Sequence, residues 1–161
     1  MKKASILFIL SLLSVLIVSG CRFHDIDYPG DAKNVIDKEQ AKATIQRIMS
    51  EQFSRSIISP LSVNDDSISF TEYRRPIATL GAMNSKTTIS FATPYNIEIF
   101  RHRRTPTCDV VLFNGGAVTC EISCVSMAEA MQFADAYRFM HDYNLNQAKQ
   151  AAAQSKTATK P

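Results

Sequence analysis

Tryptophan is absent from this 161-residue chain, and aromatic residues make up only 9% of it. Sugar-binding platforms rely on the broad contact area of aromatic rings, so the composition argues against one. The sequence also lacks the G-x-S-x-G, H-E-x-x-H and glycine-rich phosphate-loop motifs of serine hydrolases, zinc proteases and nucleotide-binding proteins. These absences leave no nucleophile or general base to nominate, so we expect no catalytic residue and no cofactor.

Closely spaced metal ligands are missing as well. The four cysteines include no C-x-x-C pair, and only His102 and His141 of the three histidines lie in the part of the chain predicted to fold. Structural zinc sites usually combine cysteines and histidines at short spacing. The sequence therefore predicts no metal site.

The first 21 residues carry the most specific signal in the chain. Two lysines precede an uncharged, mostly apolar run over residues 4–18, and the motif Val18-Ser19-Gly20-Cys21 follows. The run is interrupted by serines and is shorter than the about 18 apolar residues that a permanent transmembrane helix needs. A plain secretory signal shares the basic start, apolar core and small residues, but it does not require the cysteine.

This leader resembles the lipobox signal of bacterial lipoproteins, and the resemblance covers the leader alone. It implies that residues 1–20 are removed and that Cys21, through its thiolate, becomes the lipid-bearing first residue of the mature protein. Several acyl chains, each contributing about 0.8 kcal/mol per buried CH₂, form a stable membrane anchor. Arg22 stands where an aspartate would favour inner-membrane retention, so the resemblance implies the outer membrane, with the domain facing the periplasm.

The composition divides the chain into four segments: the signal over 1–20, a flexible tether over 21–36, a folded domain over 37–144, and a weakly helical to disordered tail over 145–161. Two lysines leave with the signal, so 16 basic and 15 acidic side chains remain in the mature chain. Phosphate backbones require concentrated positive charge, so nucleic acid is not an expected partner.

Two helices are predicted at the ends of the domain. The first begins at Asp37, whose carboxylate caps the following amides with Gln40 in the reciprocal position. Its apolar stripe, interrupted by the one polar residue Gln52, follows spacings of three and four: Ala41, Ile45, Ile48, Met49, Gln52 and Phe53. The second follows a capping box over 126–129 and is expected to run to about Tyr143. Its predicted buried face comprises Ala130, Met131, Ala134, Tyr137, Met140 and His141, widened by Phe133 and Phe139.

Alternating apolar and polar residues predict about five antiparallel strands between the helices: Ser67–Arg74, 87–92, 95–102, 108–113 and 117–125. We expect the second and third to pair as a hairpin across Thr93 and Pro94. For the last two, a three-residue loop over 114–116 with a bulge gathers all three domain cysteines on one apolar face. A two-residue Asn-Gly loop would instead oppose Asp109 to Cys120.

Three cysteines remain once Cys21 carries lipid, and an oxidising compartment favours one disulfide among them. Cys120 and Cys124 lie about 13 Å apart along an extended strand, too far to bond. In the expected register Cys108 is diagonal to both, at about 7–8 Å, so a bulge or twist would have to join it to Cys120 or to Cys124. The alternative is three buried thiols that act as small apolar residues.

Arg101, His102, Arg103 and Arg104 form the strongest surface feature of the sequence. They follow a strand end and should form a basic loop. Arginine binds phosphate in a forked geometry, so the loop is a candidate site for anionic head groups, lipopolysaccharide phosphate or an acidic protein patch. The competing interpretation is a solvated strand edge that resists aggregation, which is the commoner use of a charge run.

These elements predict an α+β fold in which an N-terminal and a C-terminal helix pack on a small antiparallel sheet of about five strands. The same order of elements also suits a pleckstrin-homology-like barrel. The functional hypothesis is a lipid-anchored, non-enzymatic envelope protein that binds a protein partner as an accessory subunit of an envelope assembly. A small periplasmic enzyme with an unrecognised site and an inhibitor module are the alternatives.

Overall fold

The computed structural model describes residues 22–52, 56–74, 83–102 and 105–158. In these ranges the strands are β1 (Arg22–Asp27), β2 (Ser56–Val63), β3 (Ser67–Arg74), β4 (Met83–Ser90), β5 (Asn96–His102), β6 (Cys108–Asn114) and β7 (Ala117–Cys124). The helices are α1 (Lys38–Glu51) and α2 (Met127–Ala158), and a single 3-10 turn spans Ala32–Asn34.

The strands form two antiparallel sheets. One contains β2, β3 and β4 in that order, and the other contains β5, β6 and β7, extended by β1 beside β5. The α+β class with antiparallel strands and two helices agrees with expectation, whereas the single sheet of about five strands is wrong. The hairpin expected across Thr93 and Pro94 is also wrong, because β4 and β5 lie in different sheets. The chain crosses from one sheet to the other at this point.

The β6–β7 hairpin has a register that differs from both expected ones. Gly115 and Gly116 alone form its loop, at φ 57° and 82°, which suits the tight turns that match the twist of paired strands. The bulge lies in β7 at Thr119. The cysteines share one apolar face, as expected, but Cys108 lies directly opposite Cys124 rather than diagonal to it.

Both helices begin with the expected caps. The Asp37 carboxylate accepts a hydrogen bond from the Gln40 amide at 2.8 Å, and the Gln40 side chain accepts from the amide before the cap residue at 2.7 Å. The Ser126 hydroxyl accepts a hydrogen bond from the Glu129 amide at 3.2 Å, and the Glu129 carboxylate accepts one from the amide of Val125, the residue before Ser126, at 2.8 Å. These bonds satisfy amides that a helix start leaves without intrahelical partners.

Helix α2 differs from its prediction in two respects. It continues through Ala158, beyond the expected end near Tyr143, so residues 145–158, expected to be weakly helical to disordered, are helical and extend it by about 20 Å. Met131, expected on the buried face, is 36% exposed, whereas Asp135 and Ala136 are buried.

The apolar core lies between the two sheets and the helices. Its largest fully buried side chains come from all of these layers: Tyr137, Phe91, Phe133, Ile45, Ile48, Met49, Ile68, Ile89, Ile99, Leu112, Ile122 and Met140. Burying one such aliphatic or aromatic side chain stabilises the fold by about 1.5–3 kcal/mol. The Tyr137 ring centroid lies 5.5 Å from that of Phe91 and 6.1 Å from that of Tyr95, and these contacts pack α2 against the crossing between β4 and β5.

The segment expected as a flexible tether is folded onto the domain from Arg22 onward. Strand β1 pairs with β5, and the turn that follows is bonded to one buried carboxylate on α2, that of Asp135. Asp135 Oδ1 accepts from the Tyr28 hydroxyl at 2.8 Å and from the Asp31 amide at 2.7 Å, and Oδ2 accepts from the Asn34 side-chain amide at 2.9 Å. The tether interpretation is therefore wrong for these residues.

Gly30 allows this segment to approach α2 closely. Its φ of 82° is one that residues with a side chain rarely adopt, and a Cβ at this position would overlap the Ala134 carbonyl group. The glycine thus lets the chain turn and lie directly against the helix backbone.

Candidate functional site

An open cleft of about 400 Å³ lies between the two sheets, alongside β7. Strands β2, β3 and β4 line one side, and β7 lines the other. The lining residues are Gln52, Ile58, Phe70, Glu72, Thr87, Val118, Thr119, Cys120, Glu121 and Ser123. The cleft therefore combines an apolar part around Phe70 with polar and acidic side chains.

Strand β7 is the last strand of its sheet, and among the described residues no further strand pairs with its outer edge. An edge strand presents backbone N–H and C=O groups to any extended chain that lies beside it. Because the cleft follows this edge, an incoming segment would find backbone hydrogen-bonding groups and side-chain contacts together. This is the geometry in which proteins bind peptides by strand addition.

The polar groups of the cleft favour a ligand that carries positive charge or hydrogen-bond donors. Glu72 and Glu121 both line it. The Gln52 Oε1 atom is buried and has no hydrogen-bond partner within the described part of the chain, although Gln52 also lines the cleft. An unmet buried acceptor is costly, so a donor placed there would be stabilised.

Cys120 is not a reactive group in this cleft. Burial, and secondarily the carboxylate of Glu72, raise the pKa of its thiol to about 12. The thiol therefore remains protonated at neutral pH, and a protonated thiol is a poor nucleophile.

A second polar cluster joins β5, β6 and β7 and shares Ser123 with the cleft. The Asp109 carboxylate, only 3% exposed, accepts a hydrogen bond from the Ser123 hydroxyl at 2.9 Å and lies 2.8 Å from His102 Nε2. The three residues come from β6, β7 and β5. In a hydrolytic triad the histidine stands between nucleophile and carboxylate, whereas here the carboxylate is central. The arrangement fixes His102 and Ser123 and satisfies a buried charge.

The basic residues predicted as an anion or partner site lie at the end of β5. Arg101 is exposed, and His102 is held by Asp109. Arg103 and Arg104 lie outside the described residues. In the ladder with β1, Arg101 is opposite Phe23 and His102 is opposite Arg22. The basic end of β5 therefore adjoins the first residue of β1.

All three domain cysteines are buried free thiols. Burial raises the pKa of Cys124 to about 12 and also raises that of Cys108. Directly paired residues in antiparallel strands have Cα atoms about 4.5–5.5 Å apart, which lies within the range that a disulfide spans. Of the two candidate bonds, Cys108 with Cys120 or with Cys124, the observed register favours the second.

Asp109, Ser123 and Glu72 were not singled out as site residues from the sequence. Asp109 and Ser123 are lone polar residues in alternating strands, where an outward-facing role is the default expectation. Glu72 follows Ile68 and Phe70 on the apolar face of β3, but a single carboxylate there forms no motif. The pairing of β5, β6 and β7 is what brings Asp109 to His102 and Ser123, and no local motif marks it. The available signal for this site was the polar side chain of Asp109, which directly precedes the apolar residues 110–113 of β6.

His141, the other histidine of the domain, belongs to the core. Its Nδ1 lies 2.6 Å from the Phe91 carbonyl oxygen, and the residue is 7% exposed. Within the ranges described above, no group of three or more His, Cys, Asp or Glu side chains is placed to hold a metal ion. None of the described helices is long and apolar enough to cross a membrane.

Comparisons of the chain with protein-family models, with curated proteins and with solved structures gave no match. The geometry of the chain itself is therefore the basis for a functional proposal.

Proposed function

We propose that this chain is a lipid-anchored protein of the bacterial cell envelope that binds an extended, basic segment of another protein along β7 and does not itself catalyse a reaction. In this proposal Cys21 carries the lipid, the outer membrane holds the anchor and the domain faces the periplasm. The anchor is supported by the leader sequence. The binding role is supported by one observation, the cleft that follows the open edge of β7.

The dimensions of the cleft define the ligand. The lining part of β7, residues 118–123, would pair with a segment of about six residues, roughly 20 Å long when extended. Backbone hydrogen bonds to the strand edge would supply affinity, and alternate side chains of the segment would reach the cleft. Phe70 offers an apolar contact, and Glu72 and Glu121 favour lysine or arginine on the ligand.

Site-specific photo-crosslinking in the native envelope tests this proposal. A photoreactive residue at Thr119, inside the cleft, should give an adduct of defined mass, whereas one at exposed Lys86 on β4 should not. Replacing Glu72 and Glu121 by glutamine should weaken the adduct. Replacing exposed Glu51 on α1 by glutamine is the matched control and should leave it unchanged. Equal adducts at positions 119 and 86, or none at 119, would refute a binding role for the cleft.

A small periplasmic enzyme is the second candidate, and the cluster of Ser123, Asp109 and His102 is the observation that favours it. The purified full chain would be assayed against a panel of chromogenic esters. Turnover that disappears in both Ser123→Ala and His102→Gln would replace the binding proposal with a hydrolytic one.

A further inference from the structure

The pairing of β6 with β7 places two cysteines directly opposite each other in the core. Cys108 and Cys124 are partners at one end of the ladder, and the register runs without a shift from this pair to Leu112 and Cys120. Paired residues in antiparallel strands project to the same face of the sheet, with Cα atoms about 4.5–5.5 Å apart. A disulfide joins Cα atoms about 4.4–6.8 Å apart, so the backbone already meets its distance requirement.

The two thiols lie close together and make only weak polar contacts. Both residues are 0% exposed. Burial is the main cause that raises the pKa of Cys124 to about 12, and the nearby Cys108 thiol contributes to the same shift. The Cys108 thiol donates to the Pro106 carbonyl at 3.8 Å, and the Cys124 thiol donates to the Ile122 carbonyl at 3.9 Å. Thiols are weak donors, so a disulfide would replace these contacts at little cost.

The same register excludes the third cysteine of the domain. Cys120 is paired with Leu112, which is four residues along β6 from Cys108. Four residues of extended strand span about 13 Å, so Cys120 is too far from both Cys108 and Cys124 to form a disulfide with either. Cys120 also lines the cleft beside β7. The fold therefore selects one pair among the three domain cysteines and leaves one thiol at the cleft.

We propose that Cys108 and Cys124 form a disulfide when the chain folds in contact with a disulfide oxidant, and that Cys120 stays a thiol. One cysteine thiolate attacks the oxidant's S–S bond, forms a mixed disulfide and releases one thiol. The second thiolate then attacks the mixed disulfide and releases the other thiol. The cysteine pair loses two hydrogens, and the oxidant is reduced to two thiols. The proposed envelope location would supply such an oxidant, but the pairing rests neither on the lipid anchor nor on the ligand of the cleft.

The bond would hold β7 at its end nearest to α2. It closes the loop over residues 108–124, which contains the whole β6–β7 hairpin, and it lies two residues before the Ser126 cap of α2. A cross-link over a loop of this length restricts the unfolded chain, so oxidation should lower the unfolding equilibrium constant by about a hundredfold. The strand that lines the cleft would thus be fixed covalently to β6.

Refolding in a glutathione buffer tests the pairing. The full chain carries Cys21→Ser, so that only the three domain cysteines can react. It is unfolded, reduced and refolded in a mixture of reduced and oxidised glutathione, and the remaining thiols are alkylated after a second unfolding. The intact mass should show one alkylated cysteine and the loss of two hydrogens. Cleavage after Glu121 separates Cys124 from the other two cysteines in the sequence, so its fragment should stay attached until the disulfide is reduced.

Single replacements identify the partner of Cys124. Cys120→Ala should form the disulfide to the same extent as the parent chain, whereas Cys108→Ala and Cys124→Ala should keep both remaining thiols. Urea unfolding of the oxidised and reduced parent chain measures the expected hundredfold difference. Three alkylated cysteines in the refolded parent, or a disulfide that is lost in Cys120→Ala, would overturn the pairing. An oxidised form less stable than the reduced form would overturn the argument that the register accommodates the bond.

Discussion

Replacing Asp135 should release the N-terminal segment from helix α2. Its buried carboxylate accepts three hydrogen bonds, from Tyr28, Asp31 and Asn34, over distances of 2.7–2.9 Å. A hydrogen bond to a charged acceptor contributes about 1.5–3 kcal/mol net. The sum must be reduced because the bonds are not independent and because Asp135→Ala also removes the cost of burying the carboxylate. We expect Asp135→Ala to lower the free energy of unfolding by about 3–5 kcal/mol.

Urea unfolding and hydrogen exchange together measure this effect. The midpoint of urea unfolding should fall in Asp135→Ala, and amides of residues 28–34 should lose protection more than those of β6. Asp142→Ala is the matched control on the same helix, because its side chain is 40% exposed and pairs only loosely with Arg138 at 3.4 Å. That change should cost less than about 1 kcal/mol. If Asp135→Ala resembles the control and residues 28–34 remain protected, the reasoning about this carboxylate is wrong.

Three further predictions concern single positions. Gly30→Ala should destabilise the fold by about 3 kcal/mol or more in thermal unfolding, since it adds a clash with the α2 backbone to the cost of a positive φ. The same change at Gly115, where a Cβ meets open space, should cost about 1–2 kcal/mol. The Cys120 thiol, with a pKa of about 12, should react with a disulfide reagent at pH 8 only after denaturation; rapid reaction in the native protein would contradict its burial. Cys21→Ser should release the protein from membranes with an unchanged circular dichroism spectrum, and a variant that stays fully membrane-bound would disprove the lipid anchor.

Local sequence patterns predicted the helix starts because the relevant contacts are local. Asp37 and Ser126 cap amides only three residues away, so each motif contains its own partners. The buried stripe of α1 followed for the same reason, from spacings of three and four. The sequence indicated the length of α2 beyond Tyr143 only weakly, since its exposed alanine-rich turns have helical propensity but no apolar face.

Strand alternation could not reveal how the strands are grouped. The pattern in β4 and β5 is the same whether they pair as a hairpin or belong to different sheets, because alternation reports one buried face and not the neighbouring strand. The β6–β7 register was missed for a related reason. Face matching correctly placed the cysteines together, but a bulge at Thr119 allows a two-residue loop to satisfy the same condition.

The candidate site depends on these non-local choices. The cleft follows the outer edge of β7, beside which the described residues place no further strand, and nothing in the pattern of residues 117–124 indicates an edge position. Asp135 gave no signal either, since one acidic residue within a helix is normally solvent-exposed. Its partner Tyr28 is 107 positions away in the sequence, and only the folded chain brings them together.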